Sequence, residues 1–349
     1  MVIASEALHR PEPAWFGAPH GVRGEAKQSP HLPLQRGGVG ERIQASPNMA
    51  FTPSYIPLFK KGELDKRAQI LQEFLKECRL CPRECRVNRL DGEIGYCGAR
   101  FELMVSSAFP HFGEEPPLVG NHGSGTIFLT HCNLRCIFCQ NYDISHMGTG
   151  QPITPFDMAR AMVKLQEMGC HNINFVTPTH YSSQIVASLT KAVEMGLHLP
   201  IVYNCSGYES IEVIRLLEGI VDIYMPDIKF MDDKYSRRYS NAPDYPEVVR
   251  KVLKEMHRQV GDLTTNSKGV AERGLLIRHL VMPGGVASSE AVLKFIAEEI
   301  SVHSYVNIME QYRPEYRAHE YAEISRRITH KEYLEAIQLA RGFGLYRGF

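Results

Sequence analysis

Net charge is missing from this 349-residue chain: Lys and Arg number 39, and so do Asp and Glu. That balance excludes a chain-wide attraction to nucleic acid or to an anionic membrane. No apolar run approaches the ~20 residues that cross a bilayer. The N-terminus, residues 1–18, is broken by prolines, His9 and Arg10, and lacks the apolar core of a secretory leader. A cytoplasmic protein is therefore expected, with neither membrane nor nucleic acid as a partner. A disulfide framework is lacking as well. The nine cysteines are an odd number, and seven of them fall between Cys78 and Cys139. Their close C-x2-C and C-x3-C spacings are those of metal ligands.

Residues 1–48 are rich in Gly, Pro, His and Arg without a sustained hydrophobic period, and read as a disordered extension. Met49 opens a more regular stretch and is a candidate start of translation. Apolar residues at 64, 68, 71, 74 and 75 predict a helix over 63–77. A small Cys-rich N-terminal subdomain is expected over 49–117. From 118 to 349 strands and helices alternate. Strands are predicted at 125–130, 172–177, 200–205, 221–226, 275–282 and 305–312. Helices are predicted at 156–168, 182–195, 209–218, 245–260, 289–300 and, at the C-terminus, 331–342. Six β–α units in a row predict an α/β fold, a partial (β/α)6 TIM-like barrel with right-handed crossovers. In such barrels the site forms at the C-terminal strand ends. The polar residues there are Cys132, Thr177, Asn204, Asp227, Lys229 and Arg278.

The segment THCNLRCIFCQN (130–141) places C-x3-C-x2-C directly after the first predicted strand. Three thiolates from one short loop can bind three irons of a cubane and leave the fourth without a protein ligand. An open position of that kind invites a substrate or cofactor, whereas a structural metal has its coordination filled. Zinc on the three cysteines plus His131 is the alternative, and it requires a sharp fold back of His131 onto the same ion.

With Phe138 before its third cysteine, this loop resembles that of the radical S-adenosylmethionine (SAM) superfamily. Within it, CNLRCIFCQNYDIS (132–145), INFVTPTHY (173–181), IVYNCSGY (201–208), IYMPDIKFMD (223–232) and NIMEQYRP (307–314) are similar to stand-alone homologues of pyruvate formate-lyase activating enzyme. The resemblance implies a [4Fe–4S] cluster on Cys132, Cys136 and Cys139 and reductive cleavage of SAM to a 5′-deoxyadenosyl radical. That radical would take hydrogen from a substrate, and a glycine on a partner protein is one candidate. A flavodoxin- or ferredoxin-like electron donor is implied too. Phe138, Thr177, Thr179, Asn204, Asp227, Lys229 and Arg278 are the expected cofactor-binding residues. One departure stands out: where the superfamily often carries Gly-Gly-Glu at the second strand end, this chain reads Thr177-Pro178-Thr179-His180. Hydroxyls and carbonyls there can accept from an amino group, but the carboxylate is missing.

A second group, Cys78, Cys81, Cys85 and Cys97, has the spacing C-x2-C-x3-C-x11-C. Four soft ligands can close a zinc site or hold a second iron–sulfur cluster, and both remain open. Its turn-rich segment has little apolar material of its own and would gain from a metal. A two-cluster electron carrier without radical chemistry accounts for the cysteines but not for Asp227, Lys229 and Arg278 at the barrel mouth. A zinc-stabilised nucleic-acid module would need a basic surface, which the zero net charge does not supply.

Overall fold

The structure is a computed structural model and describes residues 51–349. The expected disordered extension 1–48 and the candidate start Met49 lie outside the described residues.

Nine strands form one mixed sheet: β1 (Leu103–His111), β2 (Ser124–Leu129), β3 (Gln151–Ile153), β4 (Ile173–Val176), β5 (Ile201–Cys205), β6 (Ile223–Pro226), β7 (Thr264–Thr265), β8 (Ala271–Leu280) and β9 (Tyr305–Met309). Six of them, β2, β4, β5, β6, β8 and β9, pair in that order and all in parallel. Each is separated from the next by helical chain, so the array curls as a partial barrel with its apolar inner face filled. β1 lies antiparallel on β2, and β3 antiparallel on β1, extending the sheet beyond its first parallel strand. The short β7 folds back on β8.

The sequence pattern did not announce β1. Its run LMVSSAFPH carries two serines at its centre, and the ladder to β2 shifts register between Val105 and Ser107. Small polar residues at a bulge hide the two-residue period that a strand otherwise shows. The helix Asp233–Ser240 was equally hidden, because DKYSRRYS is nearly all polar. It is capped instead: the Asp232 side chain accepts from Lys234 N at 2.8 Å, and Asn241 ends it at φ +47°. The long amphipathic helix Tyr245–Val260 has the predicted bounds, buries Val249, Val252, Leu253 and Met256, and stops at Gly261.

The expected Cys-rich subdomain over 49–117 is not shown as a unit of its own. Leu64, Leu71, Leu80 and Ala99 belong to the same buried cluster as Ile127, Phe175 and Tyr203 of the sheet. With so few apolar residues between 76 and 102, that segment borrows the barrel's core. Among the described residues no helix is long and apolar enough to cross a membrane.

Candidate active site

A cavity of about 420 Å³ opens at the C-terminal ends of the parallel strands. The loop after β2 supplies its first wall. Cys132, Cys136 and Cys139 all face it, together with Phe138. The loop is held tightly: His131 N donates to Ile144 O at 3.0 Å, Cys139 N to Cys136 O at 3.2 Å, and Ile137 N to Tyr239 O at 2.9 Å. Buried Asn133 donates from its side chain to Tyr208 O at 2.6 Å. Each sulfur has a neighbour that favours a thiolate. Leu134 N points at Cys132 Sγ (3.4 Å), Ser240 Oγ donates to Cys136 Sγ (3.1 Å), and Ser145 Oγ shares a hydrogen bond with Cys139 Sγ (3.1 Å). Burial pushes all three thiols up, Cys136 to about 12, while the Lys229 ammonium pulls the other way on each.

The opposite wall comes from the strand ends. Thr177, Asn204, Asp227, Lys229 and Arg278 all line the same cavity. Lys229 Nζ donates to Asp227 Oδ2 and Arg278 Nε to Asp227 Oδ1, both at 2.7 Å. Arg278 also donates to Asn204 Oδ1 at 2.7 Å, joining the ends of β5, β6 and β8. Burial raises the Asp227 carboxyl, but Arg278 and Lys229 outweigh it and hold it below the usual carboxylate range. Behind the wall stands Tyr245, fully buried, whose hydroxyl accepts from Lys229 N (3.0 Å) and faces the carbonyls of Ser206 (2.8 Å) and Asp227 (3.0 Å). The chain passes this point only because residue 207 is glycine: at φ +75°, a Cβ there would sit 2.7 Å from Asp227 O.

Thr177 takes φ +60°, a left-handed conformation that a β-branched residue adopts at a cost. It is retained because its N–H donates to Asn204 O at 2.8 Å, the last rung between β4 and β5. Thr179 is placed elsewhere. It is fully buried outside the cavity lining, and its hydroxyl donates to Glu209 Oε1 at 2.8 Å. Glu209 also accepts from Tyr203 (3.0 Å), and burial lifts its carboxyl to about 7. The carboxylate absent from the second strand end is thus present one layer back, from the loop after β5, but off the cavity. His131 does not join the three cysteines at the cavity; its ring packs on Gly98 and Gly148, where an added Cβ would meet it at 3.0 and 2.5 Å.

Sequence reasoning missed Glu114 and Glu115. Both line the cavity and approach Arg278 Nη1 at 3.8 and 3.7 Å. Asn307 on β9 donates to Glu115 Oε1 at 3.0 Å, while Glu115 Oε2 is buried without a partner. Burial, with Glu115 and Asp227 nearby, raises the Glu114 carboxyl to about 8 against the pull of Arg278. The motif HFGEEPP gave no signal: the turn after β1 lies by the start of β2, where His111 pairs with Ser124, and only tertiary packing of that turn, with Leu118 in the buried cluster of Val202 and Ile223, brings the two carboxylates to Arg278.

The Radical SAM superfamily model matches residues 126–296, from β2 through the helix after β8. The uncharacterised protein MJ0674 of Methanocaldococcus jannaschii is 33% identical over 296 residues, covering 82% of this chain and 80% of that one. The chain belongs to the radical SAM superfamily. A second uncharacterised protein of the same organism, MJ0808, is 25% identical over 177 residues, 46% of this chain and 51% of its own length. A radical SAM methyltransferase from Sphaerobacter thermophilus aligns with TM-score 0.42 and 15% identity, over 64% of this chain and 65% of its own. None of these matches singles out the activating-enzyme subgroup.

Radical SAM membership implies a [4Fe–4S] cluster and SAM. The residues present fit that pair. Three thiols from one loop face a cavity large enough for a small cofactor, each with a donor or cation that favours its ionised form.

Proposed function

We propose that this radical SAM chain binds its cluster on Cys132, Cys136 and Cys139 and uses SAM as the source of a 5′-deoxyadenosyl radical that takes hydrogen from a substrate. The single observation carrying this reading is that one cavity joins those three cysteines to Asp227, Lys229, Arg278 and Asn204. When bound, the cluster supplies the electron that cleaves the sulfonium C–S bond.

The chain's own residues do the remaining work. Asp227, gripped from both sides, keeps Lys229 and Arg278 aimed into the cavity, where they are suited to a carboxylate. Glu114, Glu115 and the Thr177 hydroxyl offer acceptors for an ammonium group. Phe138 packs edge-on to Phe230, with ring centroids 6.0 Å apart, and keeps the inner end of the cavity dry. The electron donor in this reading is a flavodoxin- or ferredoxin-like protein.

The finer reading, hydrogen abstraction from a glycine of a partner enzyme, rests on the resemblance of the five strand-end segments. It predicts a glycyl-radical EPR signal in that partner after incubation with the reduced enzyme and SAM.

The test of the main reading is anaerobic. The protein is reconstituted with iron and sulfide, reduced with dithionite and given SAM, with 5′-deoxyadenosine followed by chromatography. Product that vanishes in Cys136→Ala supports the reading. A reduced, iron-loaded protein that leaves SAM intact returns weight to a two-cluster electron carrier.

A further inference from the structure

The Cys78–Cys97 segment lies outside the cavity, yet it is built with the same care as the catalytic loop. Cys78 N donates to Val87 O (2.9 Å) and Arg86 N returns to Cys78 O (3.1 Å), so the first cysteine lies across from the third. Glu84 N donates to Cys81 O at 3.1 Å and closes a turn that brings Cys81 and Cys85 together. Tyr96 N points at Cys85 Sγ (3.2 Å), which draws the last cysteine in. Residue 95 must be small, because a Cβ there would lie 3.0 Å from Cys85 Sγ. Ala99 N points at Cys97 Sγ at 3.4 Å. Glu84 and Arg86, on either side of Cys85, both take positive φ, +38° and +59°. Two strained non-glycine residues flanking one thiol need a surrounding structure that holds them there. All four thiols are free, and Cys78, Cys81 and Cys97 are buried.

An independent observation comes from Arg89. It is fully buried, and its guanidinium donates only to carbonyls, those of His180 (2.7 Å) and Arg100 (2.5 Å). Its Nε has no partner, and among the described residues no carboxylate pairs with it. A buried cation without an anion is costly. Cys97 lies within its electrostatic reach. Four thiolates around a metal centre would carry the negative charge that Arg89 lacks.

We propose that Cys78, Cys81, Cys85 and Cys97 hold a second iron–sulfur cluster, with every iron ligated by protein. The spacing lacks the second C-x2-C pair of a zinc ribbon. The centre abuts the catalytic loop. Arg83, two residues after Cys81, donates from Nε to Asn133 O (3.0 Å) and from Nη2 to Leu134 O (3.4 Å) and Ser240 O (2.8 Å). Arg135 Nη1 reaches back to Cys97 O at 3.4 Å.

The test counts metal in the full chain, without relying on activity. A variant with Cys132, Cys136 and Cys139 all changed to Ala loses the catalytic ligands, so any cluster it retains is the second one. This result is independent of whether the wild type cleaves SAM. After anaerobic reconstitution this variant is expected to hold about four irons and four sulfides and the wild type about eight of each. Adding Cys81→Ala and Cys97→Ala should remove the remainder, together with the absorbance near 400 nm and the EPR signal of the reduced protein. A folded triple variant with a wild-type melting profile but no iron would overturn the proposal. So would one zinc per chain that iron does not replace. Cys85→Ser, at the half-buried position, provides a milder variant should the double change prevent folding; it should lower iron occupancy of the second site while Cys205→Ala does not.

Discussion

Arg278 and Asp227 are joined twice, by a parallel backbone bridge and by a 2.7 Å hydrogen bond between Arg278 Nε and Asp227 Oδ1. The backbone bridge sets β8 against the end of β6, and the side-chain bond then uses that register to keep both groups charged inside the protein. Lys229 holds the other carboxylate oxygen. Five ionisable groups meet here, with Asp227, Glu114 and Glu115 outnumbering Lys229 and Arg278. Burial and the neighbouring carboxylates raise the Glu114 carboxyl to about 8 against the pull of Arg278, which favours its neutral form.

Replacing Arg278 by Met should be costly. It leaves Asp227, Glu114 and Glu115 with Lys229 as the one cation close by among the described residues, and losing one partner of a buried pair costs about 3–5 kcal/mol. Urea unfolding should show that loss, and adding Asp227→Asn in the same chain should recover part of it. Equal, additive losses would mean that the two side chains do not depend on one another.

Stability should fall with rising pH because of Glu114. Its carboxyl is raised to about 8 in the folded chain from an ordinary 4.5, so the folded state keeps a proton that the unfolded state loses. The contribution is complete below about pH 4.5 and is lost as pH climbs to about 8. Glu209, lifted to about 7, slopes the same way. The informative quantity is therefore the difference between wild type and Glu114→Gln. Relative to wild type the variant should gain about 4 kcal/mol at pH 8 and little at pH 4. Parallel curves for the two proteins would count against a protonated Glu114.

Tyr245→Phe should loosen the turn that carries Asp227 and Lys229. The variant strands Lys229 N and the carbonyls of Ser206 and Asp227 in a buried setting, a loss of about 1–3 kcal/mol. SAM affinity, read by equilibrium dialysis on the folded variant, should weaken as well. Unchanged affinity would make Tyr245 a purely structural residue.

With the proposed cluster on Cys136, Ser240→Ala should shift that cluster's potential. Ser240 Oγ donates to Cys136 Sγ at 3.1 Å, and donors to a ligand sulfur favour the reduced cluster. Redox titration followed by EPR should find the variant more negative. A shift in the opposite sense would mean that this hydroxyl does not donate to the sulfur in the loaded enzyme.

The parallel strands were legible because each is a short apolar run between helices of clear 3.6-residue period. That Cys132, Cys136 and Cys139 share one place in the fold was legible because three cysteines in eight residues are local, as are Asp227 and Lys229 at the end of one strand. Thr179 shows the limit. Thr177 and Thr179 are equally plausible in sequence, but a left-handed turn at Thr177 sends the second hydroxyl behind the sheet to Glu209. The acidic pair Glu114–Glu115 was invisible for a related reason: its position depends on an antiparallel hairpin whose strand carries no clean alternation.

By itself the sequence determined the α/β class, the order of the six parallel strands and the cysteine loop, since periodicity and ligand spacing act over a few residues. Tertiary structure alone decided which charges meet. The Asp227–Arg278 contact spans 51 residues and the Asn307–Glu115 contact 192, distances over which no local pattern constrains a partner. It also decided that the Cys78–Cys97 segment rests on the barrel's core and touches the three-cysteine loop through Arg83. Burial sets the protonation of Glu114 and Glu209, and burial exists only once the chain has closed around them.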